Sequence, residues 1–250
     1  TTASSAILSG LVLKGYIALL ITLFLRAFTL PVAAACHITE VVLAFGLLGM
    51  VFGSLGAMRE HNIKRMLAYS SVAQVGYIFM GIGMGTEEGM VASCLHVLVH
   101  ACSKPLLFCC AGRLSAVCGH EKNLALLRGS AHRDRLAGIG FTVGALSMIG
   151  IPLLGGFASK LYFASASLSD ARRMALILIV IAASTVLNAL YYVPALISIW
   201  SRNGAEQAAA PAPVDRAFST AAVCLIVSVI ALGIFYEPVT YVIEAGIRLT

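Results

Sequence analysis

Two histidines and a lysine stand at helical spacing inside one apolar segment: His96, His100 and Lys104. Residues four apart lie on the same face of an α-helix, so the three side chains form a polar row about 12 Å long. Neutral imidazole both donates and accepts hydrogen bonds and exchanges a proton near neutral pH. The row predicts a proton relay with bridging waters, whereas one histidine alone would more often be a satisfied core residue. Pro105 removes a backbone donor, so we expect a kink beside the lysine.

Two further lysines, Lys14 and Lys160, lie inside apolar segments. A lysine at bilayer depth costs at least about 2.5 kcal/mol on insertion scales, so each requires an explanation. Lys14 lies roughly 12 Å into its helix, and the alternative to a buried role is that it extends to the membrane interface. For Lys160 the alternative is an ordinary turn between two short helices that leaves the ammonium group at the interface.

The segment 150–160, GIPLLGGFASK, lies in the middle of an apolar stretch that is too long for one crossing. Pro152 and the glycines interrupt the helical hydrogen bonds, which predicts a discontinuous helix. Irregular backbone is tolerated at membrane depth only where it is buried in protein or lines an aqueous cavity. Lys160 would then lie near the start of the second half-helix, beside the positive end of its dipole, and could load and release a proton.

The whole composition is that of a membrane protein. Of 250 residues, 60% are hydrophobic and 11% charged, and the mean hydropathy is +0.94, far from the averages of soluble domains. A spanning helix needs roughly 20 apolar residues, and seven stretches qualify: 6–30, 38–58, 66–85, 90–112, 138–168, 174–200 and 217–236. Barrel strands alternate apolar and polar residues, whereas the last two stretches are apolar all round. We therefore predict an all-α polytopic membrane protein with about seven transmembrane helices, of which 138–168 is broken.

The positive charges indicate topology rather than nucleic-acid binding. The 17 Lys and Arg residues form no run, and most fall in the loops. Seven crossings put ten on one side: Arg59, Lys64, Arg65, Arg113, Lys122, Arg128, Arg133, Arg135, Arg202 and Arg216. The other side has Arg26, Arg172, Arg173 and Arg248. The positive-inside rule then predicts a cytoplasmic N-terminus in a cell membrane, or a matrix N-terminus in the inner mitochondrial membrane.

Other kinds of site have little support. The sequence contains no Rossmann fingerprint, P-loop or haem and iron–sulfur spacing, and Cys118, His120 and His132 lack a ligand pair, so we expect neither cofactor nor metal. The first stretch contains Lys14 and no cleavage pattern, so we do not expect a signal peptide. Among the acidic residues only Glu40 lies at the start of a span, so this chain alone offers no carboxylate site for sodium.

Three motifs occur in order: NIKRMLAYSSVAQVGY at 62–77, the segment 96–112, and the segment 144–160. They resemble the antiporter-like subunits shared by Mrp cation/proton antiporters, respiratory complex I and membrane-bound hydrogenases. Segments 142–162 and 187–194 are most similar to the D component of the Mrp complex. The resemblance runs from about Ala3 to about Trp200 and implies the second half, helices eight to fourteen, of a fourteen-helix fold with two inverted repeats. The implied division is 1–37, a first helix with the axial lysine; 38–200, the second repeat; and 201–250, a loop and a final spanning helix.

The resemblance also implies residue roles. Lys14 matches the family's central-axis lysine, His96, His100 and Lys104 match its helix-eleven relay, and Lys160 matches its outer gating lysine. Lys64 lies in the signature turn, and we expect it, like Glu40 at the start of its span, to have an entry or structural role. Two features depart from the family: Pro105 replaces a small residue, and the glutamate of helix five and the lysine of the first broken helix are not in this sequence.

Three functions follow as alternatives. We expect a proton-translocating subunit of a multi-subunit complex, coupled to sodium exchange in an Mrp-type assembly. The alternative is a proton-pumping membrane-arm subunit of an NADH:quinone oxidoreductase or a membrane-bound hydrogenase, and the third is a non-conducting scaffold. The expected partners are other membrane subunits, among them an N-terminal half or a homologous antiporter-like subunit, together with lipid. Catalysis by this chain alone is not expected.

Overall fold

The computed structural model describes residues 2–169, 171–201 and 215–248, and it is built almost entirely of helices. The helices are α1 (Thr2–Ile7), α2 (Leu13–Thr22), α3 (Leu30–Ala35), α4 (Ile38–Arg59), α5 (Ile63–Gly83), α6 (Glu87–Val117), α7 (Ser130–Arg133), α8 (Arg135–Ile149), α9 (Gly155–Ser167), α10 (Met174–Trp200), α11 (Arg216–Ile234) and α12 (Tyr236–Arg248). The π-helical segment Leu8–Val12 joins α1 to α2 as one continuous rod, and a second one, Leu23–Phe28, extends α2. Within the described ranges there is no β-strand, only an isolated bridge between Asn62 and Asn123.

Six helical segments of the described chain are long and apolar enough to cross a membrane. They are Ser4–Phe28, Ile38–Arg59, Ile63–Gly83, Glu87–Val117, Met174–Trp200 and Arg216–Ile234. Large apolar side chains such as Phe45, Phe52 and Ile179 are exposed on the outside of the bundle, where lipid is their natural solvent. The predicted all-helical polytopic fold is therefore confirmed. The predicted loop after Trp200, with Arg202, lies largely outside the described residues.

The predicted broken helix is present and consists of α8 and α9. The first half ends at Gly150, whose φ of 98° belongs to the left-handed region that favours glycine. The backbone N–H groups of Gly150 and Ile151 both donate to the Leu146 carbonyl at 3.0 Å, which closes the last turn. Pro152 then prevents the helix from continuing, and α9 begins at Gly155.

Helix α6 lies at the centre of the bundle, packed against α5, α8, α9 and α11. It remains one helix through Pro105. On one side, α5 packs closely on α4. A Cβ at Gly46 would lie only 2.4 Å from the backbone nitrogen of Met80, so a glycine is needed at this contact. This arrangement surrounds the middle of α6 with protein, so its polar row is shielded from lipid.

The C-terminal helix α12 was not predicted, since the sequence indicates only a tail after Tyr236. Its polar and apolar residues fall on opposite faces, and one face contacts the second half of the broken helix. The hydroxyl groups of Tyr162 and Thr240 are hydrogen-bonded at 2.9 Å, and the rings of Tyr162 and Tyr236 meet edge to face at 6.0 Å. These contacts fasten α12 to α9.

Candidate functional site

Five basic side chains from three different segments are buried near the middle of the bundle. His96, His100 and Lys104 on α6 are fully buried, and Lys14 on α2 and Lys160 on α9 are 8% and 7% exposed. None of the three lysines extends to the surface. Because each ionisable group is costly at membrane depth, each must be stabilised there by its own polar contacts.

Lys14 enters the polar row of α6 from the side. Its ammonium group contacts the Nδ1 atom of His100 and donates a hydrogen bond to the carbonyl of Ser9, one turn earlier on its own rod. The Ser9 hydroxyl in turn meets that of Ser71 on α5 at 3.0 Å. The first crossing is thus joined to α6 and α5 through polar groups at Lys14.

His96 continues the row toward the broken helix. Its ring centroid lies 6.4 Å from that of His100, and its Nδ1 atom is 2.9 Å from the Ser159 hydroxyl on α9. The rings of Tyr77 and Phe163 pack on the imidazole at centroid distances of 5.4 and 5.7 Å. Since Ser159 directly precedes Lys160, His96 links the α6 row to the second half of the broken helix.

Lys160 reaches back across the break. Its Nζ atom donates to the carbonyl of Ile149, the last residue of α8, at 2.6 Å, and to the Thr185 hydroxyl on α10 at 3.0 Å. It also lies 5.3 Å from the centroid of the Tyr77 ring. The sequence predicts this lysine beside the positive start of α9. Its ammonium group instead meets the C-terminal, partially negative end of α8, which favours a cation.

Lys104 leaves the row. Its Nζ atom donates to the carbonyl of Leu67 at 3.1 Å, to the hydroxyl of Ser70, and to the hydroxyl of Tyr192 on α10 at 3.3 Å. Ser70 and Tyr192 are themselves 3.0 Å apart. Although Lys104 follows the histidines at the same spacing, its charged end lies between α5 and α10.

Lys64 and Glu40 do not join this cluster. Lys64, at the start of α5, is partly exposed and donates to the Thr2 hydroxyl at 2.6 Å. Glu40, in the first turn of α4, is 53% exposed and pairs with His37 at 3.2 Å and Arg173 at 3.1 Å. Their entry or structural roles stay predictions.

Sequence reasoning missed a group of buried polar residues on α5, α9 and α10: Ser70, Gln74, Tyr77, Ser159, Ser184, Asn188, Tyr191 and Tyr192. A signal for the α10 members was available. Ser184, Asn188 and Tyr192 are spaced four apart in an otherwise apolar helix, as the histidines of α6 are.

Several buried polar atoms have no hydrogen-bond partner among the described residues. Five of them lie in this cluster: the Nε2 atoms of His96 and His100, both amide atoms of Gln74, and the Ser184 hydroxyl. Buried polar groups are nearly always satisfied by protein or by ordered water. The cluster is therefore suited to hold waters between its fixed side chains.

The cluster contains bases and no carboxylate. Among the described residues Asp134 is the only buried acid, and it pairs with Arg113 and caps α8 away from the lysines. Coulomb repulsion makes simultaneous protonation of three neighbouring buried lysines unfavourable. Chemically, the arrangement can exchange protons among lysines, imidazoles, hydroxyls and water.

Comparison with known proteins places the chain in a family. Residues 1–188 match the family model described as NADH:quinone oxidoreductase/Mrp antiporter, TM. NADH-quinone oxidoreductase subunit N of Salinibacter ruber is 34% identical over 208 residues, which is 79% of this chain and 41% of that protein. The chain spans less than half the length of the first curated relatives that it matches.

Solved structures agree on the fold. A chain of the Mrp complex from Dietzia sp. superposes with a TM-score of 0.84 at 22% identity, covering 97% of this chain and 52% of that one. A chain of the archaeal membrane-bound sulfane sulfur reductase gives a TM-score of 0.81 at 27% identity, covering 96% and 48%. Relatives include NADH-quinone oxidoreductase subunits as well as an Mrp neighbour, so the particular likeness to the D component of Mrp stays a prediction. The predicted superfamily is confirmed: the chain belongs to the NADH:quinone oxidoreductase/Mrp antiporter transmembrane family.

Proposed function

We propose that this chain carries protons across the membrane as a subunit of a multi-subunit complex. The single observation that carries the proposal is the contact between Lys14 and His100, which joins two helices through two buried proton-exchanging groups. We name as the histidine chain the series Lys14, His100, His96, Ser159 and Lys160.

The burial of three lysines supports transport over a scaffold role. A buried polar or ionic group is weak evidence for stability, because replacing it with apolar side chains of similar volume is often neutral or stabilising. Three ammonium groups without a carboxylate partner are more costly still. A subunit that only held its neighbours together would gain nothing evident from them.

The geometry of the histidine chain supports a stepwise path. Each imidazole has one nitrogen on a neighbouring polar side chain and an unpartnered, buried Nε2 atom. The 6.4 Å between the two rings is too long for a direct hydrogen bond and suits a bridging water. A proton taken up at Lys14 would pass His100 and His96 and leave through Lys160.

The charge distribution supports an orientation. The ends of α4, α6 and α10 and the starts of α5, α8 and α11 lie on one membrane side, which has most of the cations. We infer that this side is cytoplasmic, in a cell membrane, and that the chain starts there.

The described residues place no carboxylate in the cluster to balance the charge of a sodium ion beside the lysines. Hard cations prefer oxygen ligands, and the buried lysines have no neighbouring carboxylate in the described part of the chain. Sodium exchange, if coupled to this path, would therefore use another subunit. The names of the relatives supply the two candidate driving reactions: cation exchange in an Mrp-type complex and NADH oxidation by quinone.

The test is proton movement in vesicles that contain the whole complex, purified through a tag on this subunit. An internal pH-sensitive dye reports the response first to a sodium pulse and then to NADH with a soluble quinone. We expect one drive to move protons and the Lys160→Met variant to lose that movement by on the order of 100-fold. The matched control is Lys122→Met, which removes an exposed loop lysine and should leave the rate unchanged.

The drive that works identifies the type of complex. Sodium-driven movement supports the antiporter and NADH-driven movement the respiratory pump. If neither drive moves protons in the wild type, the scaffold alternative replaces this proposal. Equal rates in the wild type and Lys160→Met would remove Lys160 from the path.

A further inference from the structure

Lys104 is not needed to connect the members of the histidine chain. Lys14 reaches His100 directly, and His96 reaches Ser159 directly. Lys104 nevertheless is fully buried, and its ammonium group lies between Ser70 on α5 and Tyr192 on α10. Its position requires an explanation outside that chain.

Helix α10 carries a polar face from Lys104 to Lys160. Tyr192 contacts Lys104 at one end, and Thr185 accepts a hydrogen bond from Lys160 at 3.0 Å at the other. Their separation of seven positions corresponds to about 10 Å along the helix. The two lysines are thus joined by one side of α10 as well as by the histidines of α6.

The middle of this face has unsatisfied polar atoms. Gln74, one turn beyond Ser70 on α5, is fully buried and interacts with the Tyr191 hydroxyl, but neither of its amide atoms makes a hydrogen bond of normal length and angle. Ser184, 1% exposed, interacts with the Tyr77 hydroxyl, and its Oγ likewise makes no hydrogen bond of normal length and angle. Because such groups need hydrogen bonds, they indicate two places for ordered water between the lysines.

Asn188 fixes the geometry of this region. Its Nδ2 atom donates to the Met148 carbonyl at 3.2 Å, and its Oδ1 atom accepts from the Tyr191 hydroxyl at 2.6 Å. The next carbonyl, of Ile149, holds Lys160. An amide exchanges protons poorly at its own atoms, so we assign Asn188 a positioning role: it sets the end of α8 against α10.

We propose that α10 provides a second proton path parallel to the histidine chain. We name it the α10 branch; it runs from Lys104 through Tyr192, water at Gln74, water at Ser184, and Thr185 to Lys160. Each step moves one proton: an N–H or O–H bond forms on the acceptor as the donor's bond breaks, and no electrons are transferred. The inference rests on the proposed function, since it requires proton movement through Lys160.

Parallel and serial paths predict different results for combined substitutions. If two routes share the flux, blocking either leaves the other, and blocking both stops transport. If all groups lie in one series, any single block stops transport and a second adds nothing. A double-mutant cycle separates these cases.

The experiment measures driven proton flux in vesicles that contain the whole complex. His96→Leu blocks the histidine chain, and Gln74→Leu or Tyr192→Phe blocks the α10 branch. We expect each single variant to lower the rate by roughly two- to fivefold, and His96→Leu combined with Gln74→Leu to lower it by more than about 50-fold. The control is Tyr241→Phe on α12, which removes a 74% exposed hydroxyl and should change nothing alone or with His96→Leu.

Other outcomes would overturn the branch. A complete loss with Gln74→Leu alone would make the path serial, and no effect of Gln74→Leu or Tyr192→Phe in the His96→Leu background would remove α10 from it. Subunit recovery is measured for each variant, because a purely structural role would lower assembly without dependence on His96. If Thr185→Val replaces Gln74→Leu, the same pattern is expected.

Failure of the branch is distinguishable from failure of the proposed function. If Lys160→Met stops flux while the double variant behaves as His96→Leu alone, protons move through Lys160 without the α10 branch. If the wild type moves no protons under either drive, both proposals fail together.

Discussion

The ammonium group of Lys14 lies against the Nδ1 atom of His100, although 86 positions separate the two residues in the sequence. Spacing alone pairs His100 with Lys104, four residues later on the same helix. In the folded chain Lys104 instead contacts α5 and α10, and the lysine of the first crossing takes its place beside the imidazole. The histidine thus connects two crossings rather than two turns of one helix.

Removing either member of this pair should slow proton movement to the same extent. We expect Lys14→Met and His100→Leu each to lower the flux by roughly two- to fivefold, because each blocks the histidine chain and leaves the α10 branch open. The double variant should be no slower than the slower single variant, since the two groups act in sequence. Additive losses would show that the contact does not carry the proton. The measurement is dye-reported flux in reconstituted vesicles.

Replacing Asn188 with leucine should destabilise the protein. The substitution removes the partner of the Tyr191 hydroxyl and the donor to the Met148 carbonyl, both buried. Unsatisfied buried groups cost about 1–3 kcal/mol each, which for a chain of this size lowers the unfolding midpoint by roughly 4 °C or more. Thermal unfolding of the purified complex, followed through a label on this subunit, gives the value.

Thr22→Val is a suitable control for Asn188→Leu. The Thr22 hydroxyl is exposed and donates only to the Ala18 carbonyl of its own helix. Its loss should change stability by less than about 0.5 kcal/mol. An equal shift of the unfolding midpoint for both variants would mean that Asn188 does not stabilise the end of α8 against α10.

Alanine at Gly150 should damage both folding and transport. The residue has a φ of 98°, and an added Cβ would lie 3.0 Å from the Cδ atom of Lys160. The strained backbone costs about 1 kcal/mol or more, and the lysine must move from its carbonyl partner. Flux and unfolding midpoint should both fall. Gly246→Ala on α12, where nothing lies within 4 Å of the added carbon, should be neutral or slightly stabilising.

Two substitutions at Asp134 should separate its two contacts. Asp134 accepts from the Ala137 backbone at 3.0 Å as a helix cap, and it pairs with Arg113 at 3.0 Å. Asparagine caps helices about as well as aspartate, so Asp134→Asn should lose only the charge-assisted bond, whereas Asp134→Leu should lose about 1 kcal/mol more. Unfolding midpoints of the two variants test this order. Equal midpoints would assign the whole effect to the ion pair.

The hydropathy of the sequence and the positions of its Gly and Pro residues predicted the fold well. The crossings, the break after Gly150 and the burial of Lys160 follow from apolar length and from Gly and Pro, which act locally. The hydrogen-bond partner of Lys160 could not be predicted from the sequence, because the contact of its Nζ atom with the Ile149 carbonyl depends on how α9 lies against α8.

The site was predicted for the residues that are most unusual in a membrane. Lys and His residues inside an apolar segment are recognisable from the sequence because placing them at membrane depth costs free energy. Ser70 and Tyr192 carry no charge and are less unusual there than a lysine, so their role becomes evident only when α5 and α10 bring them to Lys104. The direction of Lys104 likewise depends on tertiary packing rather than on spacing.

The contacts of Tyr162 with Thr240 and Tyr236 couple α9 to α12. We expect a tilt of the half-helix that carries Lys160 to disturb α12 through these two contacts, while the packing of α12 on α6 holds the rest of it in place. A spin label or fluorophore at Val242, which is 68% exposed on α12, would therefore report the movement of that half-helix during turnover. A probe on the exposed face of α12 would thus follow the position of α9 without being attached to the buried cluster.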